Sequence, residues 1–167
     1  MIRKQVQEAV QDTLQNEVFE VIRDVVLGKV QSDVYDVYDP RRYRRRSDNS
    51  PDGGGQGLGD KNNIIFQLEG RETNQRSKTL VVWNIAKFNP WNNPHQAFST
   101  AKRKDNILQR LIIDGWSRTT DDSPAWMQPR PFIASAQRAI DRGGEYRSSL
   151  EEAFETGLAR HGIHKIK

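Results

Sequence analysis

The chain has 167 residues, 35% of them hydrophobic and 29% charged, with a formal net charge of +4 and a mean hydropathy of −0.84. This gives room for one ordinary domain with a modest core, and excludes a large multidomain enzyme. No run approaches the ~18 apolar residues of a membrane span, and cysteine is absent, which removes disulfides, thiolate metal sites and cysteine nucleophiles.

The start, Met1 to Gln5, leads into a polar helix with no signal-peptide core, so the expectation is a protein made in a cytoplasm with no membrane partner. From Ile2 to Leu27 apolar residues recur every fourth position (2, 6, 10, 14, 18, 22, 26), and Gly28 stands where a helix stop would sit. The spacing predicts a long amphipathic helix. Four residues advance about 400° against 360° per turn, so its stripe drifts by about 40° per step. Its first twelve or so residues are sparsely apolar and are expected to serve assembly more than the core. Asp33–Pro40 reads as β-prone chain ended by proline, with Asp33, Asp36 and Asp39 as solvated acids.

Arg41–Arg46 follows, five arginines around Tyr43, then a Ser, Asn, Asp, Pro and Gly stretch to Lys61 that reads as a flexible loop. Residues 1–40 carry four basic and eight acidic groups, so the arginine block stands beside an acidic arm. Asn63–Glu69 and Thr79–Ala86 alternate as two strands of a hairpin, joined by a polar loop over Gly70–Lys78. Helix is expected over parts of Phe98–Ile112, up to Gly115. A tryptophan- and proline-bearing loop covers residues 116–129. A helix from Pro131 presents Phe132, Ile133, Ala136, Ala139 and Ile140, and stops at Gly143-Gly144. A last helix covers about Glu145–His161, with Gly162 as its stop. The fold class is α+β: a long N-terminal helix, a small antiparallel sheet based on a β-hairpin, and C-terminal helices packed on it. The organisation is an arm over 1–40, an arginine- and glycine-rich loop over 41–62, and a body over 63–167 that forms a single domain with the C-terminal part of the first helix.

Candidate chemistry is sparse. The glycine stretch lacks the Gly-Lys-Ser/Thr ending and the strand-to-helix setting of a phosphate loop. His161 and His164 lack a third ligand at zinc spacing, and no Gly-x-Ser-x-Gly elbow occurs. No catalytic residue, metal site or cofactor is expected. The arginine block admits two readings: contact with phosphates and bases, or bidentate pairing with carboxylates across a protein interface.

Several motifs in order carry a resemblance. Tyr35…Tyr38-Asp39-Pro40-Arg41-Arg42-Tyr43-Arg44-Arg45-Arg46 precedes Gly57-Leu58-Gly59-Asp60, the hairpin, Ile113-Asp114-Gly115 and Arg130-Pro131-Phe132. This order resembles the tail-completion (head–tail joining, neck) proteins of long-tailed bacteriophages, the group that includes the minor tail protein Z of phage lambda. The glycine patch is stretched and interrupted by Gln56, and the insert around Trp91 has no counterpart. The resemblance implies a non-catalytic virion protein of the neck, forming a six-fold or twelve-fold ring with copies of itself. Its further partners would be a head connector, adaptor or stopper and a tail terminator or tail tube, with no specific nucleic acid. Protein-interface candidates are then Pro40, Tyr43, Arg45, Arg46, Leu58, Asp60, Trp126, Arg130 and Phe132, with Phe132 also expected to be buried. The alternative is a small basic nucleic-acid-binding protein using Arg41–Arg46.

Overall fold

Apolar side chains at every fourth position build the first element, and the backbone adjusts to keep them on one side. The computed structural model describes residues 2–37, 57–71, 74–86, 112–114 and 129–164. Helix α1 (Ile2–Thr13) runs into a π-helical turn (Leu14–Val18), then α2 (Phe19–Lys29), then a second π segment (Val30–Tyr35). A π turn closes i→i+5 bonds and is wound less tightly than an α-helix, so it sets back the drift of a four-residue repeat. The Phe19 N–H donates to the Leu14 carbonyl, five residues back, and Asp36 N–H does the same to Gln31 at 2.8 Å. Within the first loosened turn, the Asn16 side chain donates to the Asp12 carbonyl at 2.9 Å. Val18, Val26, Val30 and Val34 are consequently all buried.

Two expectations are corrected here. Gly28 does not stop the helix, because a Cβ at that position would meet nothing within 4 Å and its φ is not positive, so the position makes no demand for glycine. Of the stretch Asp33–Pro40 expected to be β-prone, residues 33–35 are helical, because Val30 and Val34 continue the apolar stripe and their burial outweighs the β preference of Val and Tyr, while residues 38–40 lie outside the described residues.

The hairpin forms as strands β1 (Ile64–Arg71) and β2 (Asn74–Asn84), a two-stranded antiparallel sheet. Both strands extend into the stretch expected to be a polar loop. Ladder hydrogen bonds are made by the backbone, so a polar run can pair without the apolar alternation that reveals a half-buried strand.

Helix α3 (Phe132–Ile140) and helix α4 (Arg147–Arg160) complete the described fold. Both ends expected from glycine are present. Gly143 (φ +82°) follows α3 and Gly162 (φ +76°) follows α4. At the latter, Ile163 N–H reaches the Leu158 carbonyl at 3.0 Å and Gly162 N–H the Ala159 carbonyl at 2.9 Å, the paired bonds of a Schellman cap.

The chain forms two compact units, each gathered from distant segments. The first comprises Met1–Val26, Phe66–Trp83 and Ser135–Lys167, and the second Leu27–Ile65 and Asn84–Ala134. In the first, Gly157 of α4 packs on Thr13 at the end of α1, and the Phe19 and Phe66 rings join helix to sheet with centroids 4.5 Å apart. In the second, the buried apolar residues among those described are Val30, Val34, Leu58, Ile64, Ala86 and Phe132.

Candidate functional site

In the second unit, backbone groups of Gly57–Asp60 are held by side chains from remote parts of the chain. The Gly59 N–H donates to the Tyr35 hydroxyl at 3.0 Å, and a Cβ on Gly59 would meet Tyr35 Cε2 at 2.9 Å, so glycine is needed beneath the ring. Asn84 Nδ2 donates to the Leu58 carbonyl and its Oδ1 accepts from Ala86 N–H, both at 2.8 Å. Asn63 Nδ2 donates to the Gly57 carbonyl at 2.8 Å, and Asp60 Oδ1 caps the short 3₁₀ turn Lys61–Asn63 by accepting from Asn62 N–H at 2.9 Å. On the other side Arg130, 7% exposed, sends its guanidinium to the Val34 carbonyl, while its N–H donates to the Ile112 carbonyl at 2.8 Å.

Four of the sequence candidates are therefore placed inside the chain's own fold: Leu58 (3% exposed), Asp60, Arg130 and Phe132 (0%). Phe132 is buried as expected. The expectation that the glycine stretch stays loose up to Asp60 is corrected for residues 57–60, which Tyr35, Asn63 and Asn84 tie down. Pro40, Tyr43, Arg45, Arg46 and Trp126 lie outside the described residues, as does the insert around Trp91. The residues that sequence reasoning missed are Asn63 and Asn84. The available signal at Asn84 is an amide closing the apolar strand end Leu80–Trp83, where a buried polar group must find partners. Truncating Asn84 to alanine leaves the Leu58 carbonyl and Ala86 N–H without their partner, and is expected to cost about 1–3 kcal/mol in urea denaturation.

The first unit contains a charged cluster at the α1–α4 crossing. Asp12 accepts from Asn16 Nδ2 at 2.9 Å, from His161 Nε2 at 2.8 Å and from the Arg160 guanidinium, which also pairs with Glu17 at 3.0 Å. The His161 hydrogen bond is the largest influence and holds the Asp12 carboxyl below the ordinary aspartate range, against an opposing desolvation that outweighs the Arg160 charge taken alone. A lowered folded pKa means that the charged form is favoured by folding. The stabilisation is present above the unfolded value of about 4 and lost as pH falls through the lower folded value. Comparing thermal midpoints of the wild type and Asp12→Asn should show a difference that shrinks as the pH falls below about 4. Among the described residues no three or more His, Asp or Glu side chains gather as metal ligands would, and no helix is long and apolar enough to cross a membrane.

The surface carries the remaining feature. Residues 2–8 of α1 are all exposed, burial begins at Ala9, and Ile2 and Val6 are apolar members of the exposed turns. The exposed part thus ends nearer residue 8 than residue 12, because Asp12 is already paired with Arg160 of α4 and Thr13 packs on Gly157.

Buried motif residues and an uncovered helix start are thus the features of this α+β protein. The chain belongs to the YomN family, whose model matches residues 1–160. The family is phage-derived, so this is a phage-associated protein; the matching model is not that of the tail-completion family that the motif order resembles, and phage origin is what the two readings share. No curated protein and no solved structure matches the chain.

Proposed function

We propose that the protein is a non-catalytic structural subunit of the phage particle, placed in the neck, where a ring of its copies joins the head connector to the tail. The observation that carries this reading is the exposed start of α1. A chain that builds an apolar stripe and leaves Ile2 78% and Val6 41% exposed presents a surface suited to a partner. Membership of a phage-derived family and the order of the Tyr-Arg, Gly-Leu-Gly-Asp and Arg-Pro-Phe motifs support it. Because Leu58, Asp60, Arg130 and Phe132 are buried within the chain, their part in the reading is to hold the subunit's shape, and the contacts with neighbours fall to exposed residues.

The test is genetic and biochemical. A phage lacking this gene should accumulate filled heads and separate tails, and purified protein added to that mixture should restore joined particles. Protein lacking residues 2–8 should keep its thermal midpoint and fail to restore joining. Joined, infectious particles from the deletion phage would overturn the reading.

A further inference from the structure

We propose that the two ends of the N-terminal helix bind each other between copies of this chain, the face Ile2, Arg3, Val6 of one copy seating on the face Asp33, Asp36, Val37 of the next. Large hydrophobic residues exposed among the described residues are Ile2 (78%), Val6 (41%) and Val37 (62%), and all three lie on this helix or at its exit. They stand at opposite ends of the helix, and each end carries a charge of opposite sign. At 3.6 residues per turn Arg3 flanks the Ile2–Val6 stripe, whereas Lys4 turns away from it and pairs with Glu8 at 3.7 Å. Asp33 lies in the last turn of the segment, and Asp36 and Val37 follow directly after it, so the three stand together at the helix exit.

The charges also oppose the helix itself. The helix start is the positive end of the macrodipole and prefers acids, yet its first turn has Arg3 and Lys4 and no acidic residue. The final segment, Val30–Tyr35, is the negative end and prefers bases, yet it has Asp33, with Asp36 directly after it, and no basic residue in its last turn. The partners of the two carboxylates are neutral: Ser32 Oγ donates to Asp33 at 2.7 Å, and the Gln31 side-chain amide donates to Asp36. Neither carboxylate meets a cation among the described residues. One copy's cationic, apolar start therefore complements another copy's anionic, apolar exit, and meeting relieves an unfavourable charge at both.

Such a contact is heterologous, head to tail, and generates a ring when the rotation between subunits closes and a filament when it does not. It supplies the subunit contact of the ring proposed above and rests on that reading for closure; the pairing itself is read from exposure and charge alone. Three apolar side chains and a few charges bury far less than the ~1,000 Å² of an independent stable interface, so the contact is weak, salt-sensitive and strengthened by repetition around a ring.

The chain's lack of cysteine permits a direct test. Full-length Val6→Cys and Val37→Cys proteins are mixed at low salt with a short bismaleimide, and covalent dimers are counted on a denaturing gel. The mixture should cross-link at least about tenfold more than either variant alone, and salt should suppress it. Adding Arg3→Glu to the first variant should abolish the excess, and adding Asp33→Lys and Asp36→Lys to the second should restore it. Both reversals suit the helix dipole, so the thermal midpoint should stay level or rise while assembly falls, which excludes loss of fold as the cause. No excess in the mixture, or an excess indifferent to the Arg3 and Asp33/Asp36 reversals, would overturn the proposal. So would an excess of cross-linking that appears only when Arg41–Arg46 are neutralised, since that would show the acidic end occupied by the chain's own arginines. Cross-linking alongside normal joining by the deletion phage would fail the neck reading alone, and unjoined heads without cross-linking would fail this contact alone.

Discussion

Replacing Phe132 by alanine is expected to lower the free energy of unfolding by about 3–5 kcal/mol, a large share of the roughly 5–15 kcal/mol that holds a domain of this size folded. The side chain is fully buried at the start of α3. Its N–H donates to the Arg130 carbonyl at 2.8 Å, so the turn that introduces the ring is fixed by the backbone and will not collapse into the space that alanine leaves. The cavity therefore persists, and its cost adds to the lost transfer energy. Ala136, one turn on, is too small to refill it. Urea denaturation of both proteins measures the difference, and Phe132→Leu, which keeps most of the volume, should recover more than half of the loss.

The second large effect is expected at Gly157, where helix propensity and packing oppose each other. Alanine is favoured over glycine in a helix interior by about 1 kcal/mol, yet a Cβ here would lie 2.7 Å from Thr13 Oγ1, 2.8 Å from Glu17 Oε2 and closer still to Thr13 Cγ2. Glu17 can swing aside. Thr13 is fully buried and cannot. Overpacking of a fixed site costs about 1–3 kcal/mol, occasionally more, and forcing α4 away from α1 also disturbs the Asp12, Arg160 and His161 cluster. Packing prevails, so Gly157→Ala should be destabilising despite its propensity. Thr13→Ala is the partner change. It removes both obstructing atoms together with a buried hydroxyl that has no hydrogen-bond partner, and the double variant should regain most of the loss, with a coupling of about 1 kcal/mol or more. A double variant as unstable as the sum of the two singles would show that the contact at Thr13 is not what requires glycine.

These positions show where the sequence is informative. Gly143 and Gly162 are legible as helix stops because each follows an apolar-periodic helix and adopts a positive φ that glycine alone takes without strain. Gly157 is not legible, since the need for glycine comes from a residue more than a hundred positions away on another helix. Gly28 misleads in the opposite sense, because a glycine with open space around it carries no instruction. The four-residue stripe does reveal the long helix, and its computed drift is genuine for an α-helix. What periodicity cannot foretell is that two π turns absorb the drift and carry the stripe on to Val34.

The motif residues teach a related point. Gly57–Asp60 reads as flexible because local composition is all that a linear reading weighs, whereas the backbone there is fixed by Tyr35, Asn63 and Asn84, which come from other elements. An Arg or Asp quoted in a family-like motif looks like a recognition residue on the same grounds. Arg130 and Asp60 instead spend their hydrogen bonds inside the subunit, on the Val34 carbonyl and the Asn62 N–H. Exposure separates the two roles, and it points to the ends of the first helix.

The central claim, a structural place in the neck of the particle, is tested most directly by locating the protein. Antibody fragments raised against the purified chain and bound to intact phage particles in electron micrographs should decorate the junction of head and tail. Protein recovered only in the soluble lysate, or decoration of the head shell or tail tip alone, would contradict it.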